Sequence, residues 1–176
     1  MPSQNESGTP VGIRRTVLVL AGLYFFDSWF TGQGLLSLLV SFLGAIVLGV
    51  GALTAIVRGR KAWATSRAAR ALVYVLLAGA TVATLRFHAW TAEAGSLRII
   101  DACKGYHARH GDYPAGLADL VPEFLAAIPR AKYTGLYGEF QYWTSSPDSH
   151  TLMYVAVPPA GRRLYNFEAG RWSELD

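Results

Sequence analysis

The sequence predicts a membrane α-helical region of three transmembrane helices joined to a small α+β domain, in which a long helix packs on an antiparallel β-meander. Three observations carry this prediction. Apolar residues make up 52% of the chain and charged residues only 16%, and the long apolar runs fall in the first half. Basic charge gathers beside those runs: residues 1–90 hold eight Lys/Arg and two acids, residues 91–176 eight and ten, so local balances of +6 and −2 underlie the net +4. Beyond residue 140 the apolar spacing changes from a helical period to a period of two.

Residues 1–15 read as a disordered polar tail that ends on Arg14 and Arg15. Thr16 to Phe30 is the first apolar run. It has the charged start and apolar core of a signal peptide, but no small-x-small cleavage site follows and a second apolar segment comes almost at once. A retained span is therefore expected, with Asp27 at its outer edge. Thr31 to Gly34 is a tight connection. The second span, Leu35 to Val57, has 23 residues and no charge, enough to cover a bilayer's hydrocarbon core. Its small residues Gly44, Ala45, Gly49 and Gly51 suit the close approach of a neighbouring helix. A basic loop follows at 58–70, with Arg58, Arg60, Lys61, Arg67 and Arg70 and no acid. Short loops rich in Lys/Arg stay in the cytoplasm, which places the N-terminus inside as well. The third span, Ala71 to Leu85, then exits through an interfacial set, Arg86 to Trp90. The three-span region is thus 16–90, and 91–176 is an extracytoplasmic domain.

Arg70 to Pro114 reads as one long helix, half in the membrane and half beyond it. Past Glu93 it becomes amphipathic, with Ile99, Cys103, Tyr106 and His110 on one face and Arg98, Asp101, Gly105 and Arg109 on the other. Gly111 ends it where a left-handed residue needs no Cβ, and Pro114 prevents resumption. Leu117, Leu120 and Val121 form a short helical edge stopped by Pro122, which opens a second piece, Glu123 to Ala126. Lys132 to Glu139 is a loop. Strands are expected at 140–144, 151–157, 163–168 and 171–173, joined by short turns, with the long helix covering one face of the sheet.

Chemistry-bearing residues are sparse. His107 and His110 are three apart on a helix, close enough to share a metal with Asp112 or His150 nearby; the other reading is that the imidazoles pack at the helix end and meet its last carbonyls. Ser145, Ser146, Asp148 and His150 have the residue types of a hydrolase triad. They sit in one turn, without a nucleophile elbow or an oxyanion loop, so a polar hairpin is expected. Cys103 is the single cysteine and reads as a small buried apolar residue. No cofactor-binding pattern is present, and no catalytic, cofactor or metal site is assigned. No basic patch interleaved with aromatics indicates nucleic acid. The aromatics Tyr137, Phe140, Tyr142, Trp143, Tyr154, Tyr165, Phe167 and Trp172 are dense; alternation assigns about half to the helix-facing core, and core packing is the favoured reading over a partner surface formed by any left on the open face.

Tyr106 to Pro129, YHARHGDYPAGLADLVPEFLAAIP, resembles the segment of type II secretion pseudopilins and type IV pilins where the long N-terminal helix ends. Gly111-Asp112-Tyr113-Pro114 matches that family's Gly-x-Tyr-Pro, Leu117 to Pro122 its Leu-x-x-Leu-x-Pro, and Ile128-Pro129 the Ile-Pro before its sheet. The likeness covers roughly residues 70–176. It departs from the family before Ala71, where two further spans replace the short basic leader, and no glutamate precedes Glu93 in the third span. The resemblance implies a pseudopilin-like outer domain on a stationary anchor rather than a polymerising pilin. The expectation is a non-enzymatic, multi-pass protein of the bacterial inner membrane, with its N-terminus cytoplasmic and its C-terminal domain periplasmic. That domain would meet protein partners in secretion or envelope assembly while the anchor contacts membrane lipid. The alternative is a metal-binding or enzymatic membrane protein using His107 and His110.

Overall fold

Pro10 lacks a backbone N–H and suits the first turn of a helix. In the computed structural model, which describes residues 10–146 and 149–175, helix α1 runs Pro10–Tyr24. The expected tail is therefore helical from residue 10, and residues 1–9 lie outside the described part. The chain continues as a π-helical segment, Phe25–Phe30, then as α2, Leu35–Val57, and α3, Lys61–His110. Two compact units result. One comprises the described residues up to Trp29 with Gly34–Thr84; the other comprises Phe30–Gln33 with the described residues from Leu85 onward.

The expectation of three transmembrane helices is corrected to two candidate spans among the described residues. Helix α1 has 15 residues, about 22 Å at 1.5 Å per residue, short of a hydrocarbon core of about 30 Å. Among the described residues, only α2 and α3 are long and apolar enough as α-helices to cross a membrane. The basic loop is corrected as well. Lys61 to Arg70 contains no glycine or proline and is rich in alanine and arginine, strong helix formers, so it forms the first turns of the 50-residue α3. Only residues 58–60 remain as the connection.

Within the first unit, Asp27 is buried and its Oδ2 accepts the Ser37 N–H at 2.7 Å. Ser37 lies in the first turn of α2, whose N-cap is Gly34 and therefore supplies no side-chain cap. The carboxylate takes over that role and lies at the positive end of the helix. The small residues of α2 divide in their use. A Cβ at Gly44 would collide with the Tyr74 ring, and the Gly51 carbonyl accepts a hydrogen bond from Arg67 at 3.0 Å, whereas Gly49 faces open space.

The second unit matches the expected α+β arrangement. Strands β1 (Gln141–Ser146), β2 (Ser149–Val157), β3 (Gly161–Asn166) and β4 (Arg171–Leu175) pair antiparallel in the order β1-β2-β3-β4. Tyr142, Leu152, Tyr165 and Trp172 stand opposite one another across the four strands. That row faces a core formed with Ile99, Ile100, Ala102 and Cys103 of α3. The helix comes close because Gly95 has no side chain: a Cβ there would stand 2.9 Å from the Phe140 ring and 3.3 Å from the Arg130 carbonyl. Two face assignments change. Gly105 packs against Phe124 rather than lying on the free face, and His110 is exposed.

Helix α3 ends as its sequence predicts. Gly111 has φ +88°, its N–H reaches the His107 carbonyl at 2.9 Å, and a Cβ there would meet open space. Gly111→Ala should therefore destabilise this unit through the backbone alone, by about 1 kcal/mol. Denaturant titration in detergent, followed by near-UV ellipticity, measures it; equal midpoints would contradict the assigned cap. Leu117–Leu120 forms a single 3₁₀ turn, and the Phe124 N–H returns to the Leu120 carbonyl.

Candidate functional site

The end of α3 and the near ends of β2 and β3 gather most of the titratable side chains singled out in the sequence. His107 stacks on Tyr113 with ring centres 4.4 Å apart. His110 stacks on Tyr106 at 4.2 Å, and its Nδ1 lies 3.1 Å from the Tyr106 carbonyl oxygen. The two imidazoles therefore pack against different aromatic rings at the helix end. Among the described residues, no group of three or more His, Cys, Asp or Glu is arranged to hold a metal ion. Asp112 is exposed in the turn after the helix.

His150 is not placed as the triad spacing would have it. It lies on β2, and its Nδ1 is 2.7 Å from Oε1 of Glu168. Its backbone N–H also meets both oxygens of the same carboxylate, at 3.0 and 3.1 Å. Asp148 and Pro147 lie outside the described residues. Sequence reasoning missed Glu168. Only the observed β2–β3 register, which places Thr151 opposite Asn166, brings the residue before Thr151 towards the segment just after Asn166. The Phe167 N–H bonds to the His150 carbonyl at 3.1 Å and closes the same corner.

The electrostatics of this cluster follow from burial set against hydrogen bonding. Partial desolvation pushes the Glu168 carboxyl upward, but the hydrogen bonds from the His150 side chain and backbone outweigh it and leave the group below its usual range. A carboxylate with a lowered folded pKa contributes stability that is present above its unfolded pKa and is lost as pH falls through the folded one. Glu168→Gln should thus weaken the unit by on the order of 1 kcal/mol at neutral pH, and the gap should close in acid. Thermal unfolding of both proteins from pH 7 downward measures the trend; a gap that does not change with pH would refute it.

The neighbouring groups are held protonated. Desolvation pushes the Cys103 thiol up to about 12, so it is a poor nucleophile at neutral pH. Desolvation also raises the phenols of Tyr113 and Tyr142, and the Tyr142 hydroxyl donates to the Pro114 carbonyl at 2.9 Å. The cluster ties the turn at 111–116 to the sheet.

The sheet's second face is a different kind of surface. Phe140, Tyr142, Tyr154, Tyr165, Phe167 and Trp172 belong to the core or pack against it. Trp143 lies on the alternate face, with Met153, Val155 and Leu164 at neighbouring register positions. Arg162 and Arg171 stand on that same face and are exposed. A cleft of about 310 Å³ opens between residues 134–139 and the middle of β2, with Arg130, Glu139, Tyr137 and Met153 among its walls.

Near the cleft, Lys132 is buried and its Nζ donates to the Ala156 carbonyl at 2.8 Å. The backbone of the same loop closes on itself, with the N–H groups of Ala131 and Lys132 directed at the Gly138 carbonyl at 2.9 and 3.2 Å. The burial of Lys132 runs against the usual exposure of lysine in a loop. Comparison with protein-family models, curated proteins and solved structures finds no match to this chain.

Proposed function

We propose that this chain is a non-enzymatic, multi-pass membrane protein that presents its C-terminal unit outside the cytoplasm as a pseudopilin-like interaction domain, in secretion or envelope assembly. One observation carries the topology. Phe30–Gln33, the connection between α1 and α2, belongs to the same compact unit as the C-terminal domain, and the Leu136 N–H donates to the Phe30 carbonyl at 3.0 Å. This contact supports a reading in which the α1–α2 connection and the domain share one side of a bilayer.

With α2 returning across the bilayer, the basic residues from Arg58 to Arg70 reach the other side, where Lys/Arg-rich segments stay cytoplasmic. The π-helical segment extends α1 to 21 continuous helical residues, Pro10 to Phe30, and Leu18, Val19, Phe25 and Phe26 are exposed. In this reading lipid covers those side chains together with the exposed aliphatic residues of α2. On the sheet's second face Met153 and Val155 are buried, and the half-buried Trp143 with the exposed Arg162 and Arg171 supplies the surface for a protein partner.

Cysteines introduced one at a time test the topology. Ser173→Cys should react with a membrane-impermeant maleimide on intact spheroplasts, and Ser66→Cys only after permeabilisation. The reverse pattern overturns the reading. A photocrosslinking amino acid at Trp143 should yield a defined protein adduct in cells, and its failure to do so would remove the partner surface from the proposal.

A further inference from the structure

The second unit carries an exposed aromatic cluster that neither its core nor the His150–Glu168 corner uses. Tyr133 is 52% exposed, and its ring stacks on Phe87 with centres 6.1 Å apart. Leu136 and Tyr137 are exposed in the same loop. A Cβ at Gly135 would stand 2.8 Å from the Phe30 ring, which is itself 46% exposed. Phe30, Phe87, Tyr133 and Leu136 thus form one contiguous patch drawn from three separate stretches of chain. Trp90, 67% exposed, follows Phe87 at helical spacing on α3.

The chain path says what covers this patch. Phe30 closes the first helical stretch, and Phe87 follows Leu85, the end of the apolar run in α3. Both residues lie where the chain leaves an apolar span, and the loop bearing Tyr133 and Leu136 touches both. Aromatic residues that are apolar on one side and polar at the tip are the residues favoured at a membrane–water interface. Arg86 beside them is exposed and supplies a cation for anionic headgroups.

The backbone of the loop agrees with this use. Tyr137 has φ +58°, a left-handed conformation in which a side chain is strained, and no other non-glycine residue adopts a positive φ among those described. A glycine would remove the strain. The loop instead keeps a large amphipathic side chain there, in sequence next to Leu136. Lys132 holds the loop from within by its bond to β2.

We infer that residues 133–137, with Phe30 and Phe87, form a shallow foot that seats the C-terminal unit in the lipid headgroup region. The foot adds a fixed contact to the covalent link through α3 and sets how far the open sheet face stands from the bilayer. This inference rests on the membrane reading above.

Spin labels attached to single introduced cysteines test it in full-length protein reconstituted into phosphatidylcholine–phosphatidylglycerol vesicles. Cys103 is fully buried with a protonated thiol, so it stays unlabelled in the folded chain and needs no removal. Labels go on Leu136→Cys, Val47→Cys and Ser173→Cys. Collision with oxygen, which enriches in lipid, is compared with collision with a water-soluble nickel chelate. Val47→Cys should give the highest oxygen-to-nickel ratio, Ser173→Cys the lowest, and Leu136→Cys a ratio between them. A Leu136→Cys ratio equal to that of Ser173→Cys, with Val47→Cys deep, overturns the foot and leaves the membrane reading standing. A water-exposed Val47→Cys overturns the membrane reading itself.

Discussion

Leu152→Ala should destabilise the C-terminal unit by about 2–5 kcal/mol. Leu152 is fully buried in the second strand, between Tyr142 and Tyr165 of the flanking strands, in the same cluster as Ile99 and Cys103 of the long helix. Truncation removes apolar contact and leaves a cavity. The surrounding rings are held by their own packing, such as the edge-on contact of Tyr165 with Phe167 at 5.1 Å, and collapse only partly into the space. Leu175→Ala is the control. Leu175 is 54% exposed on the edge strand, so its loss should stay within about 0.5 kcal/mol. Denaturant titration in detergent, read by near-UV ellipticity, measures both. A loss at Leu152 no larger than at Leu175 would show that the sheet row does not face the helix.

Replacing Lys132 by methionine should alter how stability depends on alkaline pH. Burial lowers the Lys132 ammonium from the usual 10.5 to about 8. Between those values the folded chain has released a proton that the unfolded chain still holds. The unfolded state binds more protons there, so this residue makes stability rise with pH from 8 to 10.5. The difference corresponds to about 3 kcal/mol, fully unfavourable to the folded state below pH 8 and gone above 10.5. Tyr142 and Cys103, whose pKa values are raised, act in the opposite direction in alkali, but they do so in both proteins and cancel in the comparison. Wild type should therefore gain about 3 kcal/mol relative to Lys132→Met across that window. Unfolding measured at closely spaced pH values provides the test. Parallel curves would mean that the ammonium is solvated in the folded state.

Local pattern made much of the architecture legible. Thr151 to Val157 alternates between two bulky faces with turn-forming residues beyond it, and it lies in β2, one of the two inner strands. Gly111 and Pro114 fixed the end of the long helix because few residues tolerate a left-handed backbone. Leu35–Val57 is uncharged throughout and is a helix over that range. What escaped depended on contacts between distant segments or on exceptions to strong preferences. Arginines between 58 and 70 suggested a loop, although arginine and alanine favour helix. Tyr133 meets Phe87 across 46 residues, and Leu136 meets Phe30 across 106, spacings that no periodicity records. Glu168 joins His150 only because the hairpin register brings them to one corner. The buried Lys132 runs against the usual exposure of lysine, and the capping carboxylate of Asp27 reaches ten residues forward to Ser37.

The strand order has a consequence for how the chain is made. Each strand pairs with the strand synthesised immediately before it, and the long helix precedes them all. After β1, each new strand finds its partner already made, so every hairpin closure is short and the sheet has low contact order. Folding can proceed from the N-terminal side of this unit towards its end, with each hairpin added to an edge already resting on the helix. The exposed edge during synthesis is always the newest strand, and the interval in which it could pair with another molecule is the time needed to make the next turn. Strand exchange between copies is thereby limited by the order of the chain itself, before the finished sheet presents any edge.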